Sequence, residues 1–253
     1  MNPSLELSAA LAAAEAAARV IRECYLKPLA VRAKADLSPV TEADVRAEES
    51  IRAVLAARCP GIAFEGEETG RHGSGAARWL VDPIDGTKAF VRGYPMFSTQ
   101  IALLRGGRLV LGVSSAPLYG ELAWAERGRG AWLNGRPLRV SDVATLEGAA
   151  LSTGNLKSLA AGPKWPAFGR IVTRLNRIRG YGDFLHYHLL SNGKIDAVLE
   201  SDVNILDIAA LVPIVEEAGG TFTALDGSPV GLATTTVLAT NRALHAPILA
   251  ALA

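Results

Sequence analysis

The hydrophobic period of the chain changes partway along, and no other feature constrains the fold as much. From Leu5 to about Leu26 alanine and apolar residues recur at helical spacing among good helix formers, which predicts a helix ending before Pro28. Thr41-Glu42-Ala43-Asp44 has the form of a capping box and opens a second predicted helix, to about Arg58, stopped by Pro60-Gly61. Lys34 to Val40 between them reads as a loop. Beyond residue 61 the runs are short and β-branched or apolar, at 62–64, 78–81, 99–104, 109–114 and 122–125, separated by turns such as Gly106-Gly107. They predict the strands of one largely antiparallel sheet.

After the turn signal Asn134-Gly135-Arg136-Pro137 the two patterns mix. Strands are expected at 149–152, 177–180 and 197–200, helices at 165–175, 184–191 and 208–218, and a loop over 154–164. We place a boundary near residue 136, giving halves 1–135 and 136–253. Two helices, a sheet and then a mixed half suggest layered α and β rather than a βαβ nucleotide-binding array.

Composition excludes several classes. With 253 residues, 49% hydrophobic and 20% charged, the chain can bury a sizeable core and is not a disordered segment. Lys+Arg 26 against Asp+Glu 25 leaves a net charge of +1, which disfavours nucleic acid as the partner. Cys24 and Cys59 make neither a disulfide framework nor a zinc knuckle and suit a reducing cytoplasm. The opening residues lack a basic n-region and nowhere do 18 apolar residues run together, so neither a signal peptide nor a membrane span is expected.

The stretch most telling for function is Arg78-Trp79-Leu80-Val81-Asp82-Pro83-Ile84-Asp85-Gly86-Thr87. An apolar strand ends at an aspartate, proline blocks its continuation, and a second aspartate follows before Gly-Thr. Taken alone, this is also a turn with Gly86 at a positive-φ position. Glu65, Glu67 and Glu68 follow another short strand, and Asp207 precedes an apolar helix closed by Gly219-Gly220. Clustered carboxylates repel unless cations sit among them, and oxygen-only ligands select hard ions such as Mg²⁺. Equally, Glu67 and Glu68 could belong to a solvated loop, and Asp207 could be a helix N-cap.

Gly66-Glu67-Glu68, Asp82-Pro83-Ile84-Asp85-Gly86-Thr87 and Asp207-Ile208-Ala209-Ala210 followed by Glu217-Ala218-Gly219-Gly220, in this order, resemble the inositol monophosphatase family. The similarity runs over nearly the whole chain. It implies an α+β fold, the layered αβαβα sandwich of the inositol monophosphatase and fructose-1,6-bisphosphatase type. It also implies phosphate monoester hydrolysis with two or three Mg²⁺ ions held by Glu67, Asp82, the Ile84 carbonyl, Asp85 and Asp207. By the same resemblance Thr87 holds the attacking water, Glu67 accepts its proton, and the Gly86 and Thr87 amides face the phosphate. Thr87 is alternatively a helix N-cap hydroxyl. Val40-Thr41-Glu42-Ala43-Asp44 is similar to the family's VTxxD segment, in which the aspartate, Asp44, and an upstream lysine, here Lys34, assist a weaker metal and its water. Asp44 is equally a capping-box acid.

Substrate contacts are expected from Arg179, Asp183 and Glu200, of which Glu200 suits either an amine-bearing or an inositol substrate and does not discriminate. Gly182-Asp183-Phe184 resembles the histidinol-phosphate phosphatases of the family, and an anionic Asp183 suits an amine-bearing substrate. Leu206 replaces the tryptophan usual before Asp207. Small residues at 209 and 210 would let the following helix approach the metal loop. L-Histidinol phosphate is therefore the expected small phosphorylated substrate, with inositol monophosphate, a sugar bisphosphate or an adenosine bisphosphate as alternatives. A binding protein acting on RNA polymerase or ribosomal RNA is the alternative from another class, and homodimerisation follows from the resemblance. His186 and His188, at i and i+2 of a helix, read as packing or substrate contacts, His72 and His245 as surface residues, and Trp124, Trp132 and Tyr94 to Phe97 as core or interface aromatics.

Overall fold

The computed structural model describes residues 3–27, 31–33 and 39–253. The first half contains α1 (Leu5–Cys24), β1 (Val31–Ala33), β2 (Pro39–Thr41), α2 (Glu42–Arg58), β3 (Ala63–Gly66), β4 (Gly70–His72), β5 (Ala77–Asp85), α3 (Thr87–Val91), β6 (Ser98–Arg105), β7 (Arg108–Ala116), β8 (Glu121–Glu126), β9 (Ala131–Leu133) and β10 (Arg136–Pro137). Then follow β11 (Ala150–Thr153), α4 (Lys157–Ala161), α5 (Trp165–Val172), β12 (Arg177–Arg179), α6 (Asp183–Ser191), β13 (Ala197–Ser201), α7 (Ile205–Ile208), α8 (Leu211–Glu217), β14 (Gly220–Thr223), β15 (Thr236–Asn241) and α9 (His245–Leu252).

An eight-stranded sheet in the order β10-β9-β8-β7-β6-β5-β3-β4 and a five-stranded sheet in the order β12-β11-β13-β15-β14 alternate with helices. Side-chain alternation along single strands shows the layering. Trp79 and Val81 of β5 join α1 and α2 in one core, while Leu80 faces α6, α8 and the five-stranded sheet. On β13, Val198 points into that middle core, and Ala197 and Leu199 point to a third, shared with α5 and α9. The order from face to face is α1/α2, large sheet, α6/α8, small sheet, α5/α9, which is the expected αβαβα sandwich. The large sheet is antiparallel except where β3 pairs with β5, and β11 runs parallel to both its neighbours.

Several boundaries differ from the sequence reading for local physical reasons. Helix α1 stops at Cys24 because Leu26 takes φ 61°. Val40, expected in a loop, pairs with Arg32 in a small two-stranded sheet. Strand β5 continues through Pro83: Asp82 pairs with Gln100 and Asp85 with Ser98, so a bulge absorbs one residue and proline's missing donor costs no ladder bond. The expected loop 154–164 contains α4, whose first amides are capped by the Asp202 carboxylate (2.9 Å, to Ser158) and the Ser201 hydroxyl (3.3 Å, to Leu159). The predicted helix 208–218 is two pieces, α7 and α8, with Asp207 inside the first. Ala210 lies against Gly112 of β7, where a Cβ would come within 2.0 Å of the Ala210 carbonyl oxygen. The small residues therefore bring the chain close to β7. Among the described residues no helix is long and apolar enough to cross a membrane.

Candidate active site

Parallel pairing of β3 with β5 opposes Gly66 to Val81, and the Glu67 amide donates to the Val81 carbonyl (3.1 Å). Glu67 and Asp82 therefore leave the same end of the two neighbouring strands side by side. The bulge then returns the chain so that Asp85 joins them. The Asp82 carboxylate accepts from the Ile84 amide (2.9 Å), and Pro83 is held by Thr99 Oγ1 donating to its carbonyl (2.8 Å). Gly86, with φ 93°, turns the chain into α3 and is the N-cap itself. Thr87 is thus not the cap. Its hydroxyl lies 3.0 Å from the Ile84 carbonyl and 3.1 Å from Asp44 Oδ1.

Asp207 comes from the other half of the chain. It is not an N-cap but the third residue of a capping box: Asn204 caps α7, and Asp207 accepts from the Asn204 amide (2.9 Å) and side-chain amide (2.6 Å). Asp44 repeats the device on α2, accepting from the Thr41 amide (2.7 Å) and hydroxyl (2.6 Å). Asp44 is thus the capping-box acid, and its second oxygen accepts from the Thr87 hydroxyl. Burial raises the Asp44 carboxyl, and the Thr41 bonds oppose that rise.

One carboxylate oxygen each of Asp82, Asp85 and Asp207 falls within 4.8 Å of the others. Burial, then the charges of Glu67, Asp85 and Asp207, push the Asp82 carboxyl well above its ordinary range. Asp85 rises through burial, then Asp207, Asp183, Glu200 and Glu67. Burial, partly offset by the Asn204 bonds, pushes Asp207 up to about 7. Acids so placed keep their charge only if a cation lies among them, and a donor set of carboxylate and carbonyl oxygens fits a hard divalent ion.

Asp183 and Glu200 lie close enough to act on Asp85. Asp183 sits at the rim with φ 45°, its carboxyl raised by burial, lowered by His186 and raised by Glu200. Glu200 is buried and accepts from the Tyr187 hydroxyl (2.5 Å), and His186 Nε2 stands 3.5 Å away. Gly154 makes room for it, since a Cβ there would lie 1.6 Å from Glu200 Oε2. Arg179 is not among the principal charges acting on these groups. It is exposed on β12 and donates to the Ile178 carbonyl (2.7 Å). Lys34 lies outside the described residues.

The two helix histidines face opposite ways, as their spacing predicts: His186 toward Ser152 and Glu200, His188 toward Glu121 (2.7 Å) and Ser114 (2.9 Å). His72 and His245 are half-buried rather than surface residues, bonded to Thr69 Oγ1 and Thr223 Oγ1 at 3.0 Å. Trp124 and Trp132 stack at 5.7 Å on the large sheet, and in the 94–97 run Phe97 is buried while Tyr94 is exposed. Tyr187, Gly154 and Glu48 were not singled out by sequence. For Glu48 the signal was its place four residues after Asp44.

A five-layer sandwich with a carboxylate cluster at the strand ends and a threonine bound to a fourth acid fits a phosphomonoester hydrolase of the metal-dependent type. The sequence profile of the inositol monophosphatase family matches residues 3–253, and the chain belongs to that family, on its histidinol-phosphatase-like branch. It is 42% identical to a histidinol-phosphatase of Mycobacterium tuberculosis over 96% of each chain. It is 40% identical to a histidinol-phosphatase of Streptomyces coelicolor over 87% of this chain and 86% of that one. The crystal structure of the extragenic suppressor protein suhB from Bartonella henselae superposes with a TM-score of 0.90 at 31% identity, covering 98% of both chains.

Proposed function

We propose that this protein hydrolyses L-histidinol phosphate to L-histidinol and phosphate with Mg²⁺. The observation that carries the reading is the electrostatic continuity of Asp82, Asp85 and Asp207 with Asp183 and Glu200. One end of this acidic surface suits metal-bound phosphate, and the other suits a cationic substrate tail. Relatives named histidinol-phosphatase support the same choice.

In this reading Glu67, Asp82, the Ile84 carbonyl, Asp85 and Asp207 hold two or three Mg²⁺ ions, four of these five ligands coming from the 1–135 half. When bound, the ions neutralise phosphate charge and lower the pKa of water. Thr87 Oγ1, fixed between Asp44 and the Ile84 carbonyl, orients the attacking water, and Glu67 accepts its proton. The Gly86 and Thr87 amides donate to phosphate oxygens. Asp183 and Glu200 receive the substrate's ammonium and imidazole through charge-assisted hydrogen bonds that an inositol hydroxyl cannot match. Arg179 has no part assigned at this end. The cytoplasmic setting accords with two free, buried cysteines, and the homodimer stands with the resemblance.

The test is phosphate release by the purified protein with Mg²⁺, comparing kcat/KM for L-histidinol phosphate and myo-inositol 1-phosphate. A large preference for the first is expected. Preference for the second would make Glu200 the hydroxyl-binding residue and overturn the substrate assignment.

A further inference from the structure

We propose that Glu48 is the positioning residue for Glu67, an inference that rests on the metal-site reading above. Glu48 follows Asp44 by one helical turn, so both face the same side of α2. It is completely buried, and its two oxygens accept from the amides of Glu68 and Thr69, each at 2.8 Å. Those are the two residues after Glu67, in the turn joining β3 to β4, whose Gly66 and Gly70 pair. A carboxylate bonded to consecutive amides fixes the path of the turn, because breaking either bond leaves buried polar atoms unmatched.

Gly66 supplies independent support. A Cβ at this position would lie 2.3 Å from Glu48 Cδ and 2.4 and 2.6 Å from its oxygens. Gly66 is not among the glycines with positive φ, so its lack of a side chain serves the approach of Glu48 rather than a backbone conformation. A turn further along α2, Arg52 Nη1 lies 3.3 Å from His72 Nε2, which is 3.0 Å from Thr69 Oγ1. Asp44, Glu48 and Arg52, at i, i+4 and i+8, thus bind Thr87, the turn after Glu67 and the arm of the same hairpin. One helix face sets the distance between the residue that accepts the proton and the residue that holds the water.

The test uses E48Q and, from the opposite side, G66A, which displaces the carboxylate without removing its charge. The half-saturating Mg²⁺ concentration is read from the rise in melting temperature, kcat and KM from phosphate release, and both are repeated in an E67Q background. Each variant is expected to raise half-saturating Mg²⁺ about tenfold and to lower kcat about 10- to 100-fold with KM within about twofold. In E67Q the further loss of kcat should nearly vanish, because the two residues act as one unit. A lower melting temperature with unchanged Mg²⁺ dependence, or a kcat loss that multiplies with that of E67Q, would show that Glu48 only stabilises the fold. If E48Q does not fold, G66A decides by the same readings. If the wild-type protein shows neither a Mg²⁺ shift nor phosphate release, the site reading falls and this inference with it.

Discussion

Thr87 Oγ1 lies 3.1 Å from Asp44 Oδ1, across 43 positions of sequence, and 3.0 Å from the carbonyl of Ile84. One hydroxyl thereby ties the start of α2 to the bulged end of β5. Its proton serves one acceptor at a time, so the other acceptor is free to receive a hydrogen bond from water.

Replacing Thr87 with alanine should lower kcat about 100-fold, the scale of a lost positioned proton-transfer group, while costing only about 1 kcal/mol of stability for one partly exposed hydrogen bond. Asp44→Asn should lose turnover similarly and in addition weaken the cap on Thr41, about 1 kcal/mol more. Steady-state kinetics beside urea unfolding measures both. A large stability loss with normal turnover would leave Asp44 as a capping residue only.

Asp207, with its pKa near 7, and the raised Asp82 and Asp85 make the metal-free protein sensitive to pH. Between the ordinary 3.8 of an unfolded aspartate and about 7, the folded state binds more protons than the unfolded state, so stability falls as pH rises through that window. Melting in chelator should therefore drop from pH 5 to pH 8. With Mg²⁺ the drop should shrink, because the cation replaces the protons, and apparent Mg²⁺ affinity should rise with pH. Parallel curves with and without Mg²⁺ would contradict this.

Asp183 occupies φ 45°, a conformation asparagine also tolerates, so Asp183→Asn changes charge without straining the backbone. It should cut kcat/KM for L-histidinol phosphate about tenfold, near 1.4 kcal/mol, and leave myo-inositol 1-phosphate within about twofold. Equal losses on both substrates would assign Asp183 to the metal site instead.

Gly86→Ala tests the turn between Asp85 and Thr87. At φ 93° a Cβ would meet the Met96 carbonyl oxygen at 2.6 Å, so both conformation and space oppose it. We expect at least 1–3 kcal/mol of destabilisation and loss of phosphate release. Urea unfolding and activity assays check the pair, and a variant of normal stability and activity would show the turn to be adaptable.

Much of the site was legible because its signals are local. The capping box Thr41 to Asp44, the turn 82–87 and the positive φ of Gly86 are written in neighbouring residues, and the change from helical to alternating period announced the layers. Pro83 shows the limit: the expectation that it ends the strand holds only for a regular ladder, and a bulge keeps it inside β5. The short helix α4 was missed because its capping groups, Ser201 and Asp202, lie about 40 residues further along, at the end of β13 and just beyond it.

The sequence by itself determined the helix that carries Asp44 and the alternation that sorts each strand between two cores, both consequences of side-chain type and backbone period, while the carboxylate set was implied by the resemblance of its motifs to the family. Only the tertiary structure decided which acids meet. Asp207 reaches Asp82 and Asp85 through the stacking of α7 on the large sheet, Glu67 reaches Asp82 through the parallel register of β3 and β5, and Glu48 touches the turn after Glu67 because Gly66 leaves space for it. Burial raised the carboxyls of Asp82, Asp85 and Asp207, and burial belongs to the packed layers rather than to any segment of the chain.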